Sequence, residues 1–200
     1  MWGIMTGKYS MDVYDTIALT VLSNEGEVEG RTAVQKLVYF HTQTIPAITI
    51  PSYRHHFYGP LSSDVASALE DMSAFSYLSE IVNSGFYESY TYKLTAKGER
   101  YASNARAQFP GEYATISKTV NTCKEFCGLR STPLSYAAKS HYILASTEAG
   151  RAGQYTVDDV RRVGRDFDWN ISPEDRDRRT TPREVGSCPG FLGAISDTSP

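Results

Sequence analysis

Pro46, Pro51 and Pro60 interrupt the chain between two amphipathic patterns, and this interruption limits the possible folds more than any other feature. Before it, the text TAVQKLVYFHTQ starts at Thr32. Val34, Leu37, Val38 and His41 share one helical face there, and Gln35 and Lys36 are read as pointing outward. The helix fails at Thr44-Ile45-Pro46, because proline disfavours helical backbone in the residue before it. After the interruption, Gly59-Pro60 marks a turn and Ser62 or Ser63 can cap a new helix. Its inward positions are Val65, Ala68, Leu69, Met72 and Phe75, and Tyr77-Leu78 close the packing. Between the two helices, Ile48, Ile50, Tyr53, His55 and Phe57 alternate imperfectly and predict one short strand.

The flanking text completes a recognisable set. Met1–Met11 forms a leader of no clear period. Asp12 caps a first helix with Val13, Ile17, Ala18, Val21 and Leu22 on one face, ended by Asn24-Glu25-Gly26. Glu25, Glu27 and Glu29 read as an acidic connection. Gly85 opens a hairpin, with Phe86-Tyr87 on one arm, a turn at Glu88-Ser89 and Tyr90 to Leu94 on the other. Thr95 then caps a helix with Tyr101, Ala105 and Phe109 inward. Helices followed by a hairpin and a further helix predict a mainly α chain with a small β-hairpin, an α+β class with a winged-helix-like core over residues 12–109.

Pro110-Gly111 marks a boundary, and residues 110–170 are expected to form a helical extension. Tyr113, Ile116, Val120, Cys123 and Cys127 step by three and four, a coiled-coil-like stripe expected to support a homodimer through 113–127. Thr132-Pro133 starts another helix, with Leu134, Ala138, His141 and Ala145 on one side. Thr156 and Asp159 read as a capping box for a helix that carries Val160, Val163 and Phe167. Ser172-Pro173-Glu174-Asp175 is a helix start with no helix after it. Residues 171–200 are rich in Arg, Thr, Pro, Gly and Ser and are expected to be a disordered tail. Their abrupt change of character also fits a shifted reading frame, which the coding DNA would test.

Lys36-Leu37-Val38-Tyr39-Phe40, then a loop, then Tyr58-Gly59-Pro60 and a capped helix, resembles the YwgA-like proteins and the related SocA-like Panacea domain. The resemblance covers about residues 12–100. Tyr92-Lys93-Leu94-Thr95-Ala96-Lys97-Gly98 is also similar to the wing of many winged-helix regulators. The Panacea domain occurs in antitoxins and phage-associated proteins. The resemblance therefore implies a protein that binds and neutralises a toxin, or one of phage-related regulation.

Charge decides between the two obvious functions. The formal net charge is −3, and residues 1–175 carry 16 Lys and Arg against 20 Asp and Glu. A DNA reader wants a basic face and Arg, Lys, Asn or Gln on its recognition helix. The helix after Ser62 offers Asp64, Ser67, Glu70 and Asp71 outward, which repel phosphate. The DNA-binding alternative must use Arg31, Gln35, Lys36, Lys93 and Lys97 instead. The 14 tyrosines suit half-buried contact surfaces, so a non-enzymatic protein-interaction module is the first reading.

Chemistry finds little footing. No phosphate loop, nucleophile elbow or HExxH motif appears, and no catalytic residue, metal site or cofactor is expected. His41, His55 and His56 read as packing histidines, and Cys123 and Cys127 as small core hydrophobes. A polar pocket of Tyr39, His41, Arg54, His56 and Tyr58, beside Gly59 and Pro60, is the candidate contact for a partner or an anion. Three cysteines, no membrane-length apolar run and no signal-peptide layout point to the cytoplasm.

Overall fold

Local capping sets most of the helix starts. The Asp12 carboxylate accepts from the Asp15 N–H at 2.8 Å and opens α1, Val13–Ser23. Ser62 accepts from the Val65 N–H and opens α3, Ser63–Ala74. Thr95 accepts from the Gly98 N–H at 3.1 Å and opens α4, Ala96–Gln108. α2, Arg31–Thr44, starts after Gly30, which sits at φ 93° and supplies no side-chain cap. The computed structural model describes residues 10–49, 53–83, 89–146, 156–167 and 169. The leader up to Tyr9, the hairpin turn and the tail fall outside the described residues, apart from Trp169.

A three-stranded antiparallel sheet sits among these helices, in the order β1-β3-β2. β1 is Glu27–Glu29, β2 is Leu78–Asn83 and β3 is Ser89–Leu94. The acidic connection is therefore a strand: Val28 is buried opposite Tyr92, while Glu27 and Glu29 face out. The hairpin also starts earlier than Gly85, since Leu78 pairs with Leu94 and Asn83 with Ser89. No strand runs through 48–57 among the described residues. Met11–Ile48 and Arg54–Leu61 make isolated bridges instead. The prolines on either side leave too little uninterrupted backbone for a ladder.

α5, Pro110–Cys127, follows α4 with only Phe109 between them, and Pro110 takes the first helical position. α6 is Ser131–Ser146 and α7 is Val157–Asp166, the latter opened by the Thr156–Asp159 capping box. α5 packs against α1 and α2, and α6 lies along α2. The stripe of Ile116, Val120, Cys123 and Cys127 is buried in the chain's own core. It is not free to form a seam with a second copy, because α1 and α2 already cover that side. No helix among the described residues is long and apolar enough to cross a membrane.

The core joins Ile17, Leu19 and Val21 of α1, Val34, Leu37, Val38 and Phe40 of α2, and Leu69 and Met72 of α3 with Leu94, Ala102 and Leu134. Polar ties fix the edges of this packing. Tyr101 on α4 donates to Asp15 on α1 at 2.7 Å, and Tyr14 on α1 donates to Asp71 on α3 at 2.9 Å. Phe75 departs from the helical pattern, for it is 65% exposed. It is the C-cap of α3, where the backbone turns toward β2 and no longer aims the side chain at the core. Gly98 is a matter of close approach: a Cβ there would run into the Tyr77 carbonyl oxygen.

Candidate functional site

The loop that returns after the prolines folds back onto α2, and two consecutive α2 residues hold it. The Gln35 side-chain amide donates to the Ser62 carbonyl at 2.9 Å, and the Ser62 N–H donates to Gln35 Oε1 at 3.2 Å. Lys36 Nζ donates to the Pro60 carbonyl at 2.7 Å. Both side chains are buried, Lys36 to 1% exposure, so they do not point outward as helical periodicity implied. The loop covers what would otherwise be the wet side of α2.

The loop closes on itself as well. Arg54 and Leu61 exchange backbone hydrogen bonds at 3.0 and 2.9 Å, and the Gly59 N–H donates to the His56 carbonyl at 2.8 Å. Gly59 has φ +95°, and a Cβ there would lie 3.2 Å from Lys139 Cγ and 3.4 Å from Lys36 Cε. Glycine is needed both for that backbone and for the closeness of the two lysines. From the far end of the described chain, Trp169 Nε1 donates to the His56 carbonyl at 2.7 Å, and Phe167 lies 5.5 Å from the His55 ring.

Lys139 on α6 is 8% exposed. Its Nζ lies 5.7 Å from the Phe57 and Tyr136 ring centres and 5.8 Å from that of Trp169. Burial, together with the neighbouring Lys139 charge, pushes Lys36 down to about 7. Burial lowers Lys139 too. Nearby, Tyr39 and His141 form a 2.9 Å hydrogen bond, and Tyr53 packs edge-on against Tyr39 at 5.1 Å. Burial raises the Tyr39 and Tyr53 hydroxyls and lowers His141 to about 4, so all three are neutral near pH 7.

The expected pocket is only partly assembled. Tyr39, Gly59 and Pro60 are buried at the contact between α2 and the loop, whereas Arg54, His56 and Tyr58 have exposed side chains. His41 is fully buried, and residues two apart on a helix do not share a face, so it stands away from Tyr39. Neither His41 ring nitrogen finds a partner among the described residues, and burial lowers its pKa to about 3. The residues expected to touch DNA are engaged within the fold. Arg31 donates to the Tyr92 hydroxyl at 2.8 Å and pairs with Glu80 at 3.1 Å. Lys93 pairs with Glu27 at 3.7 Å, and Lys97 donates to the Phe75 carbonyl at 2.9 Å. Gln35 and Lys36 are beneath the loop. No group of three His, Cys, Asp or Glu residues placed to hold a metal occurs among the described residues.

Lys139, Tyr53, His141 and Trp169 complete the arrangement, and the sequence reading did not bring them to it. Their one signal is a lysine embedded in an apolar helical run, once in AVQKLVYF and again in LSYAAKSHYI. No family model matches this chain. The chain is similar to uncharacterized protein YwgA of Bacillus subtilis (strain 168). The two are 29% identical over 119 residues, which span 59% of this chain and 71% of YwgA. The likeness to YwgA agrees with the resemblance carried by KLVYF and YGP.

Proposed function

We propose that this chain is a non-enzymatic protein-interaction module, antitoxin-like in role, that presents Phe57 and Tyr58 to its partner. The observation that carries this reading is their exposure, 68% and 56%, on a loop anchored by buried hydrogen bonds. An apolar projection held stiffly loses little freedom on binding, and aromatic anchors contribute much of the energy in such contacts. The two rings meet edge-on at 5.0 Å, which adds to that stiffness.

The order of helices and strands from α1 to α4, with β3 between β1 and β2, supports a winged-helix reading of residues 12–109, with 110–170 as its extension. Within that reading α3 takes the recognition position, yet its outer side carries Ser63, Ser67 and Glu70 and no cation. Protein recognition fits this charge better than a phosphate backbone does. The Panacea resemblance, the toxin-neutralising role and a cytoplasmic setting belong to the same proposal.

Affinity capture from the source cells tests it, with the Phe57→Ser/Tyr58→Ser double variant run beside the unaltered chain. A specific partner should be held by the unaltered chain and lost by the double variant, with both melting at the same temperature. Identical captures from the two proteins would refute the loop's role. Salt-sensitive binding to random duplex DNA would put the regulator reading in its place.

A further inference from the structure

The Lys36 and Lys139 side chains are buried side by side with no acid to balance them among the described residues. Lys36 and Lys139 run past the same point of backbone, Gly59, within 3.4 and 3.2 Å of where its Cβ would be. Neither makes an ion pair or a hydrogen bond with an acidic side chain among the described residues. Lys36 uses one N–H donor of its ammonium form on the Pro60 carbonyl, and Lys139 places none on any oxygen among the described residues. Lysine is rarely buried without a partner, because the lost hydration has to be replaced. The remaining donors of both groups ask for an acceptor that the described residues do not supply.

We propose that Lys36 and Lys139 form a binding niche for an oxyanion, a carboxylate or phosphate group carried on a ligand with an apolar or aromatic body. The charged end would take the unused N–H donors, as ammonium groups do with both anion classes. The body would lie against Phe57, Tyr136 and Trp169, whose centres stand 5.7 to 5.8 Å from Lys139 Nζ. That spacing is near the outer limit for a ring to hold a cation, so the rings do little to neutralise the charge. Gly59 keeps the two stems together, and Pro60 sets the Lys36 head. The niche goes beyond the partner-binding reading and does not depend on it.

The test titrates the full chain with sodium benzoate and, separately, inorganic phosphate, with ionic strength held constant by chloride. Trp169 fluorescence is followed in a Trp2→Phe background, and thermal unfolding is recorded on the same samples. A saturable change with one or both anions is expected, together with a rise in melting temperature. Lys139→Met should weaken that response about tenfold or more, and Lys36→Met similarly, the usual loss when a charged hydrogen bond is removed. Lys118→Met, on the exposed side of α5, should leave it unchanged. A response to benzoate alone identifies a carboxylate site, and one to phosphate alone a phosphoryl site. No saturable change with either anion overturns the proposal, as does an equal response in Lys139→Met. The titration of the Trp2→Phe chain decides the first point even where a lysine variant fails to fold.

Discussion

Replacing Lys36 by Met should change how stability depends on pH, and the size of the change follows from its burial. The unfolded chain releases this proton at 10.5 and the folded chain at about 7. Between those values the unfolded state binds more protons, so stability rises with pH across the window and the penalty is complete below about 7. With these two values the contribution of Lys36 grows by about 2 kcal/mol from pH 7 to pH 9. Cys123 acts in the opposite direction at the alkaline end, because burial raises its thiol. It is common to both proteins and cancels in the comparison. Urea unfolding of the unaltered chain and Lys36→Met at pH 7, 8 and 9 gives the difference directly. The unaltered chain should gain about 2 kcal/mol relative to the variant over that range. A difference that stays constant to within about 0.5 kcal/mol would refute the claim that burial lowers Lys36 in the folded protein.

Further outcomes follow from other buried groups. His41 and His141 are held neutral, with folded values of about 3 and about 4, so stability should fall as pH drops below 6.5. Each should cost about 2.5 kcal/mol by pH 4.5, and His41→Phe should remove one such loss in acid titrations followed by circular dichroism. Gln35→Ala breaks both hydrogen bonds to the Ser62 peptide and should cost about 2–4 kcal/mol in urea unfolding, leaving m unchanged. Gly98→Ala drives a methyl into the Tyr77 carbonyl and should lower stability by about 2–3 kcal/mol by the same measurement, whereas Gly111→Ala, in open space, should not.

Helix starts were legible because capping is local. Asp12, Ser62, Thr95 and Thr156 each bond a backbone N–H three residues away, and that spacing stands in the sequence. β1 was hidden because Glu27–Glu29 is short and its partner is Thr91 to Lys93, more than sixty residues away. Gln35 and Lys36 were misplaced for a related reason. Helical periodicity assigns polar residues to water unless another segment arrives to cover them, and here Pro60 and Ser62 do. The α5 stripe was read correctly as apolar, but periodicity cannot say whether the covering surface is a second copy or the chain's own α1 and α2. Of the candidate site, the glycine-proline turn and Tyr39 were visible, while Trp169, beyond α7, has no local signature, and Lys139 on distant α6 shows only as a lysine within an apolar run.

The sheet order has a consequence for how the chain is made. β3 lies between β1 and β2, so β1 has no strand to pair with until residue 94 has been synthesised. Until then Val28 has no Tyr92 opposite it, and the segment from α1 through α3 leaves the ribosome with an open side. Helices α1, α2 and α3 can form early, since their contacts are close in sequence, but the sheet must wait. A nascent chain halted before β3 would therefore expose apolar surface that the finished protein hides, and a chaperone would meet it at that stage.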